Sequence, residues 1–375
     1  MTLTPRIRKS PYFDATVRYG ATSFMAYNNM YLPLGYDTPE NEFWHIVNDV
    51  TLWDVAVQRI VEITGPDAFA FTNMLTPRDL TPCRVGQCKY VLITNAEGGI
   101  VNDPVLSRLG ENHFWLSRAD SDLLLWAKGV AVFAGMDVDI REPDASALQI
   151  QGPKSRPLVV DLFGDVAEAL AYYECTACTL GDIPVVLART GWSAEIGYEV
   201  YLRDASRGDE LWETIMAAGR PYGIAPASPS RIRRIEAGIL DYRVDMDTDT
   251  NPYEIGLGRL VKLDVDTDFI GKDALGRIAS TGAGRLLAGV VVDGEPIRDT
   301  NQYRWPVRRD GTRVGVLTSL VYTPRLEKNI GYVMVETSSS ALETRLVVET
   351  PDGERAATVV HKPFVDAGKV LPRRG

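Results

Sequence analysis

The sequence predicts an α+β protein whose C-terminal part is a small β-barrel. In the N-terminal half, three strand-like runs are followed by a helical run, an order typical of an α+β layer. After residue 286, short strand-like segments are separated by Asp-Gly turns, a pattern typical of small barrels. The chain has 375 residues, 45% hydrophobic and 24% charged, which is enough for two or three packed units.

The first half of the chain shows elements separated by glycine and proline. We predict a strand over 57–63, a helix over 68–75, a hairpin of 88–94 with 100–108, a strand over 113–118, and a helix from a cap at Asp120 or Ser121 to about Phe133. Pro104 cannot donate a ladder hydrogen bond, so its strand should lie at an edge or be bulged there. A bulge often re-aims a functional side chain, which here is Asp103.

The second half continues with paired strands and capped helices. We predict strands over 147–151, 185–190, 198–202, 311–318, 329–335, 346–350 and 356–360, and helices from Gly152-Pro153 to Phe163, over 209–218, and over 229–239 with Ser228 as cap. Strand alternation places Glu199 and Tyr201 on one face. The linker-like run 281–284 divides the chain into a region 1–280, with two subdomains, and a barrel 281–375.

Composition and charge argue against several classes of partner. The net charge of −10 and the isoelectric point near 5.0 disfavour nucleic acid and anionic lipid. The longest apolar stretch, 123–136, is interrupted by Lys128 and is shorter than the roughly 20 residues of a membrane span. No apolar run follows the basic residues near the N-terminus, so we expect a cytoplasmic protein without a membrane partner.

Common catalytic motifs are absent from the sequence. It contains no G-x-S-x-G, no phosphate-binding glycine loop and no HExxH, which disfavours triad hydrolysis and nucleotide cofactors. Cys83 with Cys88, and Cys175 with Cys178, offer four thiolates for zinc, but no zinc-ribbon glycines flank them. We therefore predict no metal and reduced thiols, and the role of Cys175 and Cys178 stays open.

Two carboxylates close to aromatic residues remain as candidates. Asp103 lies between Asn102 and Pro104, and Glu199 lies between Tyr198 and Tyr201. On residue chemistry alone, a solvated loop carboxylate and an exposed cross-strand glutamate are the favoured interpretations. The residue types therefore do not assign a function by themselves.

Motifs across about residues 50–335 resemble the aminomethyltransferase, or glycine-cleavage T-protein, superfamily. They are Gly65-Pro66-Asp67-Ala68, Leu75-Thr76-Pro77-Arg78-Asp79-Leu80, Gly86-Gln87 with Tyr90, Gly98 to Val105, Gln151 to Lys154, Arg189 to Trp192, Gly197 to Val200, Arg234 to Gly238, Glu254 to Gly258 and Phe269 to Lys272. Within that superfamily, tetrahydrofolate-dependent dimethylsulfoniopropionate demethylases are the most similar group. That likeness rests on Tyr27 to Met30 with Leu32-Pro33, Trp53 to Ala56, Asn102 to Val105, Ala119 to Asp122 and Tyr198 to Tyr201.

The resemblance implies a three-domain cloverleaf with tetrahydrofolate in a central channel. Glu199 matches the glutamate that accepts hydrogen bonds from the amino and ring N–H groups of the pterin. Asp103 matches the aspartate beside the reacting folate nitrogen. The aromatic residues that the resemblance places around the pterin or the methyl donor are Tyr90, Tyr198, Trp192 and Tyr201.

The sequence also departs from the demethylase pattern around the methyl donor. Arg243 follows the Glu-Ala-Gly helix where Tyr-Gly-Asn-Asp is usual, Lys89 replaces a frequent aromatic residue, and Asn29 replaces a histidine. Arg243 and Lys89 are either surface cations or groups that recognise a carboxylate or phenolate of the donor. Together with Tyr27, they are the candidate substrate-binding residues.

The expected activity is transfer of a methyl group from a small S-, N- or O-methyl compound to N5 of tetrahydrofolate. Glycine-cleavage aminomethyltransferase activity is the alternative enzyme. A folate-binding protein without catalysis is a third hypothesis, although its K-G-C-Y-x-G-Q-E signature is absent. The expected partner is a small-molecule methyl donor, and a homodimer is kept open as the assembly state.

Overall fold

A computed structural model describes residues 4–298, 301 and 303–374. The helices are α1 (Phe13–Arg18), α2 (Pro39–Asn48), α3 (Ala68–Met74), α4 (Leu123–Ala134), α5 (Ser155–Phe163), α6 (Asp165–Ala169), α7 (Gly208–Gly219), α8 (Arg231–Glu236) and α9 (Lys272–Thr281). Short 3-10 helices are Ala56–Gln58, Ala205–Arg207, Arg220–Tyr222, Gly258–Leu260, Thr337–Ser339 and Leu371–Arg373. The ends of the two predicted regions, residues 1–3 and Gly375, lie outside the described residues.

The strands form two large sheets, two small hairpins and a barrel. Those before residue 145 are β1 (Ser23–Tyr27), β2 (Met30–Gly35), β3 (Thr51–Asp54), β4 (Val61–Thr64), β5 (Cys88–Tyr90), β6 (Ile93–Thr94), β7 (Ile100–Asn102), β8 (Val105–Gly110), β9 (His113–Ser117) and β10 (Asp139–Arg141). The later ones are β11 (Ser146–Gln151), β12 (Cys175–Leu180), β13 (Ile183–Ala188), β14 (Gly197–Leu202), β15 (Ala225–Pro226), β16 (Arg285–Val292), β17 (Trp305–Arg309), β18 (Thr312–Thr323), β19 (Lys328–Glu336), β20 (Arg345–Thr350) and β21 (Gly353–Val360).

Two sheets pack face to face in the first 280 residues, and helices cover their outer faces. One sheet has the order β10-β4-β9-β8-β5 and carries α3 and α4 on an apolar outer face. The other has the order β12-β13-β14-β11-β3-β15 and packs α1, α5 and α7 outside. Trp53, Trp115 and Tyr201 lie in the apolar layer between the sheets. Side chains that β14 directs inward are therefore shielded from solvent on both sides.

The barrel closes in the order β16-β19-β18-β17-β20-β21, which confirms the predicted C-terminal barrel. The sequence-based prediction missed two of its strands, β16 and β17. Strand β16 directly follows the glycine-rich segment taken as a linker. Strand β17 contains Pro306, which argues against a strand when only local sequence is considered.

The barrel, helix α8 and the segment from β5 to β7 meet at one apolar junction. The junction includes Ile100, Ile235, Met246 and Tyr332, together with Tyr90. A buried ion pair spans it: Arg234 donates to Asp245 at 2.6 Å and to Ser319 of the barrel at 2.8 Å. The hydroxyls of Thr318 and Ser319 also donate to Asp245. The predicted α+β class is confirmed, whereas the boundary at residues 280 and 281 stays a prediction.

Several predicted elements have different bounds in the structure. The strand predicted over 57–63 starts only at Val61, because residues 56–58 form a 3-10 helix that ends at Arg59 with a φ of 35°. Helix α4 follows Asp122, and no side chain caps it. Helix α8 is shorter than predicted, and Ser230 rather than Ser228 is its cap, accepting from the Arg233 N–H. In each case a longer-range contact replaces the local signal.

Within the described residues, helices are too short or too polar to cross a membrane. The longest ones, α4 and α7, have 12 residues each. Among these residues, no cluster of histidine, cysteine and acidic side chains has the geometry to hold a metal ion.

We expect Asp245→Ala to destabilise the fold by about 3–5 kcal/mol, because it leaves the buried Arg234 guanidinium without its carboxylate. Urea denaturation followed by tryptophan fluorescence measures the loss. The exposed Asp139, 3.9 Å from Arg141, provides the control, and Asp139→Ala should cost less than about 0.5 kcal/mol. Equal stability of the two variants would show that the ion pair does not hold the junction together.

Candidate active site

Asp103 lies at a break in the predicted hairpin. Strand β7 ends at Asn102 and β8 begins at Val105, so Asp103 and Pro104 leave the ladder as the proline predicted. Asn102 is fully buried, and its amide donates to the Ala119 carbonyl at 3.1 Å and to Ser121 Oγ at 2.7 Å. The residue before Asp103 is therefore anchored, which fixes the direction of the aspartate side chain.

The Asp103 carboxyl group lies among hydroxyl and carboxyl groups. Tyr90 Oη donates to Asp103 Oδ2 at 3.0 Å. Burial raises the pKa of Asp103 to about 8, the Tyr90 hydrogen bond opposes this shift, and nearby Asp241 adds to it. Burial also raises the pKa of Tyr27, with further contributions from Asp241 and Asp103. We call Tyr27, Tyr90, Asp103 and Asp241 the Asp103 cluster.

Glu199 forms a second cluster on the inner face of β14. Its side chain is 2% exposed. Gln58 Nε2 and Gln149 Nε2 donate to Glu199 Oε1 at 3.1 and 2.8 Å, and the Thr190 hydroxyl donates to Glu199 Oε2. Gln149 is the direct cross-strand partner of Glu199 in β11. Glu199, Gln58, Gln149, Thr190 and neighbouring Tyr201 form the Glu199 cluster.

The Glu199 cluster has unused hydrogen-bond acceptors. Gln58 Oε1 and Gln149 Oε1 are buried, and neither accepts a hydrogen bond from any described residue. Buried amide oxygens normally have a donor, so this pair points to a ligand that supplies N–H groups. The amino group and ring N–H of a pterin provide such donors beside a carboxylate. The residues present therefore fit the ring of a folate.

Strand β5 connects the two clusters. Cys88 and Tyr90 project from the same face of this strand, toward the neighbourhoods of Glu199 and Asp103 respectively. Tyr173 lies nearby: burial raises its pKa, and Tyr172, Cys88 and Glu199 add to that shift. Strand β5 thus presents one face to both clusters, and we call the region between them the cavity.

A close approach of backbone and side chain shapes the loop before Glu199. A Cβ added at Gly191 or Gly197 would lie 2.3 Å from the Gln151 amide, so a larger residue at either position would displace that amide. The Ser193 hydroxyl donates to Gln151 Oε1 at 2.6 Å. This packing orients Trp192, whose ring centroid is 5.9 Å from the Arg234 guanidinium. Trp192 thus faces the junction on the side of Arg234.

The structure does not bring every predicted residue to the cavity. Tyr198 projects from the face of β14 opposite Glu199 and is fully buried in the core beneath α5 and α7. The alternation of a strand makes this placement unavoidable once Glu199 faces inward. Tyr201 does share the inner face, and its hydroxyl pairs with Ser117 at 2.9 Å. The structure therefore places Tyr198 away from Glu199, and a contact of Tyr198 with the ligand stays a prediction.

The two predicted cations lie in different surroundings. Lys89 projects from β5 on the face opposite Tyr90, toward Cys83, which removes it from the Asp103 cluster. Arg243 is 61% exposed in its side chain and pairs with Asp120 at 3.2 Å. Asp120 also accepts from the Asn28 N–H at 2.8 Å, so Arg243 lies near the turn that follows Tyr27. Of the two cations, Arg243 is the one near a member of the Asp103 cluster.

The cysteines are separated in a way that disfavours a four-thiolate site. Cys175 and Cys178 project from opposite faces of β12 and lie in different apolar clusters. Cys175 instead approaches Cys88 between the two sheets, and Cys88 Sγ is 3.3 Å from Ser107 Oγ. All four cysteines are free thiols in the structure.

Sequence reasoning missed the amides and charges that complete the two clusters. Gln149 was predicted to lie in a strand, but its pairing with Glu199 depends on a long-range register. Gln58 is the last residue of a 3-10 helix that the sequence did not indicate. Asp241 lies in the segment that departs from the demethylase pattern, and that departure is the one signal that pointed toward it.

Family comparisons give this cavity a context. Residues 12–265 match the GCVT N-terminal domain, and residues 285–366 match the glycine cleavage T-protein C-terminal barrel domain. The chain belongs to the glycine cleavage T-protein family. Membership confirms the recognition made from the motifs, the expectation of a transferase enzyme, and the expectation of tetrahydrofolate as its cofactor.

Individual relatives are similar over nearly their whole length. The chain is 36% identical to the dimethylsulfoniopropionate demethylase of Ruegeria pomeroyi, over 94% of this chain and 96% of that protein. It is 31% identical to an aminomethyltransferase of Synechococcus, over 95% and 98%. The crystal structure of aminomethyltransferase T of the Bartonella henselae glycine cleavage system matches with a TM-score of 0.86 at 22% identity, over 98% and 99%, which supports the fold.

We expect Glu199→Gln to weaken tetrahydrofolate binding by about 10- to 100-fold, the difference between a charged and a neutral acceptor. Isothermal titration calorimetry measures the dissociation constant. Glu210→Gln changes an exposed glutamate that pairs with Arg207 and is the matched control. Unchanged affinity in a folded Glu199→Gln protein would exclude this cluster as the site of the pterin.

Proposed function

We propose that the protein is a tetrahydrofolate-dependent demethylase that moves a methyl group from a small cationic donor to N5 of tetrahydrofolate. The donor class includes dimethylsulfoniopropionate-like sulfonium compounds. Higher identity to a demethylase than to the aminomethyltransferases supports this choice. The coarser statement, a one-carbon transferase of the T-protein family, does not depend on it.

One observation carries the proposal: the buried Asp103 carboxyl group, whose pKa is raised, is hydrogen-bonded to Tyr90 of β5, the strand whose Cys88 lies near Glu199. Methyl transfer from an onium donor to a ring N–H releases a proton. Asp103, with a pKa of about 8, is a suitable acceptor for that proton near neutral pH. The Tyr90 hydroxyl orients its Oδ2 atom.

Each cluster has a distinct role in this proposal. The Glu199 cluster binds and orients the pterin ring through the carboxylate and the two free amide oxygens. Tetrahydrofolate, when bound, supplies the nitrogen that accepts the methyl group. The buried walls exclude water, so the reactants meet in a fixed geometry and much of the rate comes from positioning.

The positive charge of the donor limits the positions at which a carboxylate can accelerate methyl transfer. An onium group loses its positive charge during methyl transfer, so a fully ionised carboxylate against it would stabilise the ground state more than the transition state. Burial raises the pKa values of both Asp103 and Asp241, which reduces such pairing in the free enzyme. Aromatic rings such as those of Tyr27 and Trp192 attract a cation without this penalty.

A panel of methyl donors tests the proposal. The purified protein is incubated with tetrahydrofolate and sulfonium, betaine, sarcosine-type or methoxyaromatic compounds, and the folate product is identified. The proposal requires 5-methyltetrahydrofolate from an onium donor without a carrier protein. Formation of 5,10-methylenetetrahydrofolate that depends on an aminomethyl-lipoyl carrier would establish the aminomethyltransferase alternative. Folate binding without any turnover would favour a binding protein.

Other expectations remain predictions. Contact of Lys89 or Arg243 with the donor, a homodimer, the cytoplasm as location, and the division into regions 1–280 and 281–375 are not required by the proposed chemistry. Among them, contact of Arg243 with the donor has structural support, because its partner Asp120 also binds the N–H of Asn28, the residue after Tyr27.

The pH dependence of kcat/KM should report the ionisation of Asp103. Since the ionised carboxylate is the active form, kcat/KM should rise about tenfold per pH unit below the pKa and level off above about pH 8. Asp103→Asn should remove this limb and lower the rate by about 10²- to 10⁴-fold. Steady-state kinetics at saturating tetrahydrofolate measures both effects. Near-normal turnover of Asp103→Asn would contradict this role.

A further inference from the structure

Helix α8 carries three arginines whose electrostatic surroundings differ. Arg233 donates to Glu195 at 2.7 Å, and Arg234 donates to Asp245 at 2.6 Å. Arg231, at the first position of the helix, makes neither a hydrogen bond nor an ion pair through its side chain with any described residue. Arg233 and Arg234 are thus paired with carboxylates of the fold, whereas Arg231 has no such partner among the described residues.

The surroundings of Arg231 make its missing partner costly. Its Nε atom is buried without an acceptor. Burial, followed by the nearby Arg234 charge, lowers the pKa of Arg231 to about 10, so the group remains positive at neutral pH. A desolvated guanidinium without an anion is unfavourable, and a ligand carboxylate would satisfy it with charged hydrogen bonds.

Arg231 lies on one particular flank of the Asp103 cluster. Its charge interacts with Asp241, whose own charge interacts with Asp103 and Tyr27. Asp241 is also 3.9 Å from Arg234, the residue that contacts Trp192. The charges that act on Arg231 do not include those of Tyr90 or of the Glu199 cluster, where the pterin ring is assigned. Arg231 therefore belongs to the side left for the methyl donor.

We infer that Arg231 binds the carboxylate of a zwitterionic methyl donor, a short carboxylic acid that carries an onium methyl group. The inference rests on the proposed function and adds the donor's anionic end to it. The aromatic rings of Tyr27 and Trp192 face the cationic end, while Arg231 sets the orientation from the other end. The methyl group is thereby directed toward the Asp103 side of the cavity.

The glutamate tail of folate is a competing anion, and the structure favours another place for it. Arg78 donates to the Tyr90 carbonyl at 2.6 Å, and Arg259 lies close enough to interact with both Arg78 and Tyr90. Neither forms an ion pair within the described part of the chain. These two cations lie near Tyr90, so cations other than Arg231 are available to the tail.

A comparison of two donors tests the assignment. Wild type, Arg231→Gln, Arg231→Lys and the control Arg277→Gln, an exposed residue of α9, are assayed with dimethylsulfoniopropionate and with its methyl ester. We expect Arg231→Gln to raise KM for the acid about 10- to 100-fold with little change in kcat, and to leave KM for the ester unchanged. Arg231→Lys should restore part of the affinity. The dissociation constant of tetrahydrofolate should not change.

Three results would overturn the inference: equal effects on acid and ester, weaker tetrahydrofolate binding by Arg231→Gln, or no preference of the wild type for the acid. Failure of the proposed function is seen separately, as no methyl transfer from either donor by wild type. In that case, calorimetric titration of the tetrahydrofolate complex with each donor decides whether the carboxylate site exists. Acid binding that Arg231→Gln abolishes upholds the carboxylate site, and absence of acid binding to wild type refutes it.

Discussion

Burial of charged groups between the two sheets and at the junction with the barrel is the constraint on which the rest of the structure depends. Each buried charge needs a partner of opposite sign or a set of hydrogen bonds. Arg234 and Asp245 satisfy each other and join the barrel to helix α8. Glu199 is held by two amides and a hydroxyl instead of a cation. That choice leaves its charge available to an incoming donor of N–H groups.

The groups that lack complete partners identify the functional cavity better than residue type does. The amide oxygens of Gln58 and Gln149 and the Nε atom of Arg231 are buried without partners, and burial raises the pKa of Asp103. A different chemical feature of a ligand would satisfy each group: N–H donors for the amide oxygens, a transferable proton for Asp103 and a carboxylate for Arg231. A pterin and a zwitterionic methyl donor together provide these features, and neither provides all of them alone.

Local sequence predicted those features that depend on one strand or one turn. Pro104 predicted the break at Asp103, alternation predicted the shared face of Glu199 and Tyr201, and Asp-Gly turns predicted the barrel. It did not predict the register that brings Gln149 to Glu199 or the 3-10 helix that positions Gln58, because both depend on distant contacts. Tyr198 was assigned from the family resemblance, whereas strand alternation places its side chain on the face opposite Glu199.

A crystal structure of the complex with tetrahydrofolate tests the central claim most directly. The account predicts the amino and ring N–H groups of the pterin within hydrogen-bond distance of the Glu199 carboxylate and of the Gln58 and Gln149 amide oxygens, with the reacting nitrogen next to Asp103. A pterin bound elsewhere, for example in the surface cleft between Arg8 and Asp144, would contradict it.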